Sequence, residues 1–307
     1  MSDINYEFLL TDRPIILLSN NWLDKNFPDL GYRINSPLEI EDAIYKVNNK
    51  DTFSKNRAEY KRQAFFIRNN TNSFKTLKKI ISMSGIPYPK ISIHHKNNEI
   101  YKSNLCPLIE AAKELGIDIY ENNKSSAPDI IHIAAHFKAL LNKDISNNFC
   151  VHLDHGLKGD GTANVGMSIK DYKKNNFFPS VDLHITAGEM GQKRTQMLLG
   201  PNKDRAVEGG YPKADEIINS NNQKNRLQIC NEYKLDPNLP IITYASAGEE
   251  SYEKPGGSLS KKTINELRKL SKNGKYNIIV KLKYKNYFIR RSLSSLKARI
   301  KKKSFFK

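Results

Sequence analysis

No stretch of the 307-residue chain reaches the roughly 18 consecutive apolar residues that a membrane-spanning helix needs. A transmembrane helix is therefore not expected. The opening residues, Met1-Ser2-Asp3-Ile4-Asn5-Tyr6-Glu7, lack the basic region and apolar core of a secretory leader, so none is expected there. Cysteine is scarce. Cys106, Cys150 and Cys230 are far apart, odd in number and free of any CxxC spacing. That argues against a zinc site or a disulfide framework and for buried, reduced thiols in the cytoplasm. There is no GxGxxG fingerprint and no internal repeat, which disfavours a dinucleotide dehydrogenase. No HExxH occurs, and His94-His95 and His132…His136 lack acidic or cysteine partners at ligand spacing. Structural or surface roles are expected for them, and no resident cofactor is expected. Acidic charge is also short: 32 Asp and Glu face 50 Lys and Arg, for a net charge of +18. From Lys281 to Lys307 there are 11 Lys and Arg and no Asp or Glu. Such a tail seeks polyanions.

What remains is the composition of a globular protein, 38% hydrophobic and 27% charged. Residues Phe8 to Leu18 read as a short helix, a turn at Asp12-Arg13-Pro14 and a strand. Ser36-Pro37 opens a helix with Glu39 and Glu41 in its first turn, where the helix dipole favours acids. A polar helix spans about Ser54 to Phe66, and the Asn- and Thr-rich stretch after it begins a linker placed at residues 69–89. From Lys90 strands and helices alternate: strands at Lys90–His94, Ile117–Tyr120, Asp129–Ile133, Phe149–Leu153 and Val181–Thr186. Pro107 suits the first turn of a helix ended by Gly116. A helix follows at Glu189–Leu199 and another starts at Lys213. The pattern restarts after Pro237 with a strand, a helix from Ser260 and a strand at Tyr276–Leu282. Alternation of this kind predicts an α/β protein with parallel sheets and crossover helices. It suggests two Rossmann-like domains, with a break near Asp236.

Two segments could carry chemistry. In Val151-His152-Leu153-Asp154-His155-Gly156-Leu157-Lys158-Gly159-Asp160-Gly161 an apolar strand runs into a glycine-rich turn with a histidine at its carboxyl end, where ligands of open α/β sheets bind. His155 there suits a general base near neutral pH. Gly156 lets backbone approach a phosphate, and Lys158 can pair with one. A histidine–glycine turn without chemistry fits the same residues. On the strand His152 points opposite to His155 and is expected to be packed. In Gly209-Gly210-Tyr211-Pro212-Lys213-Ala214-Asp215 a turn enters a helix whose free N–H groups suit an anion, although Asp215 would cap that same first turn.

In this order the two segments resemble the CDP-glycerol glycerophosphotransferases, which polymerise teichoic acids. That family pairs an HG-x-x-x-K-like turn carrying the catalytic base with a later G-x-P-[RK]-x-D segment. The resemblance covers roughly residues 90 to 283. Tyr6-Glu7-Phe8-Leu9-Leu10-Thr11-Asp12-Arg13-Pro14-Ile15-Ile16 looks like the end of the family's second domain, after a Ser- and Asp-containing phosphate-binding loop, of which Ser2, Asp3 and Asn5 remain. The C-terminal portion of such an enzyme thus precedes the N-terminal portion. Either the chain is circularly permuted, or two tandem units have been cut.

The resemblance implies a GT-B-like pair of Rossmann domains, the second incomplete or completed by the N-terminal segment. Residues 1–68 would end the donor-binding domain, residues 90–236 form the acceptor-side domain and residues 237–283 begin the donor-binding one. Residues 284–307 would be a basic amphipathic tail against the anionic inner face of the cell membrane. It implies a CDP-linked alditol donor and a lipid-linked or polymer acceptor; nucleic acid is not expected, because the basic tail lacks interleaved aromatics except near its ends and no RNA-binding motif occurs. It places His155 as the base and Gly156, Lys158, Tyr211, Lys213, Asp215, Lys281, Lys283, Ser2, Asp3 and Glu7 at the substrate or its phosphates. The sequence departs from the family at Lys281-Leu282-Lys283-Tyr284, where a K-x-H-P element would put a second histidine. Alternatives are a nucleotide-sugar glycosyltransferase or epimerase of the same architecture, or an inactive remnant that binds anionic polymer or membrane.

Overall fold

The computed structural model describes residues 7–18, 29–65, 72–95, 99–135, 139–140, 145, 147–154, 181–245 and 258–281. Its contacts divide the chain into two compact units. One takes the described residues of 1–8, 12–57 and 221–307, the other those of 9–11 and 58–220.

In the first unit, strand β1 (Ile16–Leu18) pairs in parallel with β2 (Tyr32–Ile34). Helix α1 (Ile40–Asn49) follows a 3-10 turn at Pro37–Glu39, whose entry is fixed by Ser36: its hydroxyl accepts the Leu38 amide at 3.3 Å. Gly31 is required where β2 begins. A Cβ there would lie 2.3 Å from the Ile15 carbonyl oxygen, which also accepts the Tyr32 amide at 3.0 Å. Gly31→Ala must therefore displace backbone, and we expect it to cost about 2 kcal/mol or more in denaturant melts. A loss below about 0.5 kcal/mol would show that the close approach is not needed.

Much later in the chain come β9 (Ile241–Ala245) and β10 (Asn277–Lys281), also parallel, joined through helix α8 (Ser258–Lys272). Asn277 stitches this part to the preceding turn: its amide donates to the Asp236 carbonyl at 2.6 Å and its oxygen accepts the Asp236 amide at 3.2 Å. Ile34, Ile40, Ala43 and Ile44 share one hydrophobic core with Leu267, Leu270 and Ile278.

The second unit is built on a six-stranded, wholly parallel sheet in the order β4-β3-β5-β6-β7-β8. The strands are β3 (Lys90–His94), β4 (Ile119–Glu121), β5 (Ile130–Ala134), β6 (Phe149–Leu153), β7 (Leu183–Thr186) and β8 (Ala206–Glu208). Alternation within each strand sorts side chains onto two faces. One face is aliphatic: Ile91, Ile93, Ile131, Ile133, Val151, Leu153, Leu183 and Ile185 form a single core with helices α3 (Asn72–Ser84) and α4 (Glu99–Glu114), through Leu77, Ile80, Leu105 and Leu108. Full burial of each such side chain contributes about 1.5–3 kcal/mol.

Two expectations change here. The stretch placed in a linker at residues 69–89 contains α3, whose Thr76, Leu77 and Ile80 are fully buried. Its apolar residues recur at helical spacing under a polar surface that reads as a linker. Pro107 lies inside α4 rather than at its start. Packing of Leu105, Leu108, Ile109 and Ala112 on the sheet outweighs the one helical hydrogen bond that proline forfeits.

Candidate functional site

The carboxyl edge of the parallel sheet is where such folds bind ligands. β6, an internal strand, ends there at Leu153 and Asp154, the residue before His155. Asp154 is buried, and its amide donates to the Ile185 carbonyl of β7 at 3.0 Å. Its carboxylate stands 4.0 Å from His152 Nδ1, and His152 Nδ1 is 3.4 Å from His184 Nδ1. Helix α5 (Glu189–Leu199) begins beside them. A Cβ on Gly191 in its first turn would fall 3.3 Å from the Thr186 Cβ and 3.4 Å from Asp154 Oδ2, so glycine lets the helix start approach both.

The Gly209–Asp215 segment leaves β8 at the same edge. The amides of Gly209 and Gly210 both donate to the Thr186 carbonyl at 3.2 Å. Thr76 of α3 donates its hydroxyl to the Gly209 carbonyl at 2.6 Å. A Cβ on Gly209 would meet Ile185 Cγ2 at 2.6 Å, and Gly210 has φ +98°. Both positions therefore demand glycine. The segment turns into helix α6 (Lys213–Ser220). Asp215 was expected at a substrate phosphate or capping its own helix. Instead its carboxylate accepts the Asn72 amide at 3.0 Å, Asn72 Nδ2 at 2.8 Å, the Ser73 amide at 2.8 Å and the Ser73 hydroxyl at 2.6 Å. It caps α3 from a distance, because the first N–H groups of a helix have no internal acceptors. Tyr211 is likewise packed rather than presented: it is 2% exposed, its ring lies against Phe65 at 5.7 Å and its hydroxyl donates to Asn104 Oδ1 at 3.4 Å. Lys213 is partly exposed at the start of α6.

The other expected site residues are placed only in part. Glu7, half-buried, precedes the 3-10 turn Phe8–Thr11, and Lys281 ends β10 in register with Ala245. His155, Gly156, Lys158, Lys283, Ser2 and Asp3 lie outside the described residues, as does the basic tail 284–307.

A feature missed from sequence is the second face of the sheet. It carries Ser92, His94, His132, Ala134, Cys150, His152, His184 and Thr186, the four histidines all 5% exposed or less. His94 Nε2 lies 2.9 Å from His132 Nδ1. Burial first, then His132 and Lys124, lower the His94 pKa to about 4; burial, then Arg205, brings His184 to about 4. Burial also lowers His132. His95, next along the chain, bonds Glu121 at 2.8 Å, and that bond is the main reason the Glu121 carboxyl titrates below its usual range. The signal was available: Ser-Ile-His, Ile-His-Ile, Val-His-Leu and Leu-His-Ile each place a polar residue between aliphatic ones, and only their alignment as neighbouring strands reveals a face.

No protein-family model, curated protein or solved structure matches the chain. Among the described residues no group of three or more His, Cys, Asp or Glu is arranged to hold a metal ion. Nor is any helix among them long and apolar enough to cross a membrane. The thiols are free, and burial, with Asp182 adding, pushes Cys150 up to about 12, which leaves it unreactive.

Proposed function

We infer that the chain is a phosphotransferase that moves glycerol phosphate, or a similar alditol phosphate, from a CDP-linked donor to a lipid-linked or polymer acceptor. The observation that carries this reading is the placement of Asp154, directly before His155-Gly156, at the carboxyl edge of an internal parallel strand. The order of the two segments along the chain, which the glycerophosphotransferases share, supports it. The common core of residues 34–44 and 267–278 supports the permuted form of a GT-B arrangement, in which early and late segments complete one donor-binding domain.

In this reaction His155 takes the proton from the acceptor hydroxyl. The oxygen attacks the β-phosphorus of the donor, a new P–O bond forms, the bond to CMP breaks, and CMP leaves with the electron pair. Stabilising charge on the phosphates dominates the rate, and Lys158, Lys213, Lys281 and Lys283 are the cations proposed for it. Tyr211 and Asp215 serve by holding the segment that carries Lys213. The basic tail keeps the enzyme at the inner membrane face, beside a lipid-linked acceptor.

The test is CMP release from CDP-glycerol by the purified full chain, with and without a lipid-linked glycerol phosphate acceptor, beside His155→Ala. Acceptor-dependent release that the variant loses is the expected result. A folded protein that releases no CMP from CDP-alditols, or a variant as active as the parent, overturns the reading; release of nucleotide from UDP-sugars instead identifies a sugar-nucleotide enzyme.

A further inference from the structure

Helix α3 buries one side in the core of the second unit and presents the other to solvent. Asn72, Ser73, Thr76, Leu77 and Ile80 are buried. Lys75, Lys78, Lys79, Ser82 and Met83 are exposed, and helical spacing gathers them into an arc of about 140°. Neither Lys78 nor Lys79 forms an ion pair with a described residue. The helix also lies in a long stretch without acid. From Tyr60 to Asn98 the sequence holds eight Lys and Arg and no Asp or Glu. The outer face of α3 is therefore a basic surface with no acidic residue of its own to offset it.

That surface ends on two apolar groups. Met83 is 39% exposed and Tyr88 is 90% exposed. The turn that carries Tyr88 is pinned at Ser84, whose hydroxyl donates to the Ile81 carbonyl at 2.8 Å and accepts the Ile86 amide at 3.2 Å. Gly85 takes φ +67°, a conformation that side-chain-bearing residues rarely adopt. Ile86 packs against the core, Pro87 and Pro89 restrict the chain on either side of the tyrosine, and Lys90 beyond them pairs with Asp129 at 2.8 Å. Tyr88 is thus held outward by a fixed turn. A single exposed tyrosine is ordinary; here it stands at the end of a row of lysines, which joins charge to an aromatic tip.

We propose that the outer face of α3, from Lys75 to Met83 with Tyr88 at its end, docks on an anionic lipid bilayer. Lysines close to such a surface are drawn to its acidic headgroups. A tyrosine at headgroup level sets its ring against the acyl boundary and keeps its hydroxyl wet. A soluble polyanion would match the lysines but leave Met83 and Tyr88 in water, so the apolar end selects the bilayer. This contact is made by folded structure, apart from the basic tail, and does not depend on the reaction catalysed. α3 packs on the sheet and returns into β3 after residues 85–89. Docking through its outer face therefore lays the strands of this unit along the membrane.

Tyr88→Trp in the full chain places a fluorescent reporter at the tip, and the parent, whose one tryptophan is Trp22, is the control. On vesicles of phosphatidylcholine mixed with phosphatidylglycerol the reporter's emission should shift to the blue and be quenched by lipids brominated in the acyl chain. On phosphatidylcholine alone it should do neither. Lys78→Glu/Lys79→Glu should lower partitioning onto the mixed vesicles by at least about tenfold and abolish the shift, with circular dichroism unchanged. Lys78→Gln/Lys79→Gln should fall between, and decides the matter if the reversed pair does not fold. Vesicle binding with no response at position 88 would assign the membrane to the tail and overturn the proposal, as would charge-reversed protein that binds like the parent. No vesicle response, with inorganic polyphosphate bound through Lys78 and Lys79, would replace the bilayer with a soluble polyanion. No CDP-linked donor is present in these measurements, so failure here leaves the transferase reading standing, and failure of that reading leaves this one.

Discussion

Replacing Asp215 with Ala or Asn should destabilise the protein by about 2–4 kcal/mol. The carboxylate accepts four hydrogen bonds from Asn72 and Ser73, and both donors' residues are 5% exposed or less. An ordinary helix cap is worth about 1 kcal/mol. Here the cap is charged and sequestered, and truncation leaves buried N–H and hydroxyl donors without their acceptor, at about 1–3 kcal/mol for such a group. Asparagine keeps one acceptor oxygen but turns an NH2 toward other donors, so it should rescue little. Serine at position 73 is the mirror experiment: Ser73→Ala loses the 2.6 Å bond and should cost less, about 1 kcal/mol. Denaturant melts of the three variants check this. If Asp215→Asn shifts stability by under about 0.5 kcal/mol yet abolishes activity, Asp215 works on a ligand and the clamp assignment is wrong.

Acid should weaken the fold well above the pH at which carboxylates titrate. His184 falls from the ordinary 6.5 to about 4 in the folded chain, through burial and then Arg205. The unfolded chain binds that proton below about pH 6.5, whereas the folded chain refuses it until about pH 4. Stability from this group is therefore complete above 6.5 and lost as pH falls toward 4, by about 3 kcal/mol in all. His94, with the same shift, adds a similar slope. Glu121 and Asp129, whose folded values are lowered, act in a separate and more acid window, as pH falls from the usual carboxylate range. Urea melts between about pH 7 and 5 should isolate the histidines, and His184→Gln should flatten the dependence. A parent protein equally stable at both ends of that interval would falsify the neutral-histidine assignment.

How far the sequence foretells this structure depends on the range of the interaction concerned. The parallel strands are legible because Lys90–His94, Phe149–Leu153 and Leu183–Thr186 are short, largely apolar runs of strand length, a local property. The helix that begins at Asn72 is not, since its start is secured by a residue far along the chain and its polar composition resembles a linker. Asp215 misleads for the same reason: an acid in the first turn of α6 satisfies the local capping rule while its carboxylate serves another helix. The motif around Gly209 and Gly210 is visible, yet what makes glycine necessary is contact with Ile185, a tertiary fact. The histidines are the clearest case. Each looks solitary in its own strand, and only the register that sets His152 beside His184, and Ser92 beside His132, makes them a layer.

The core shared by Ile34, Ile40 and Ile44 with Leu267, Leu270 and Ile278 has a consequence for biosynthesis. The early strands and helix emerge from the ribosome with their apolar sides bare, and their partners are made only after the whole second unit has been translated. At usual elongation rates that delay is on the order of ten seconds or more. Closing so long a loop costs little extra free energy, because that cost grows only with the logarithm of length. The exposure is one of time: the six-stranded unit can mature while the first unit waits, and nascent chains that stall in that interval would be the ones that chaperones bind.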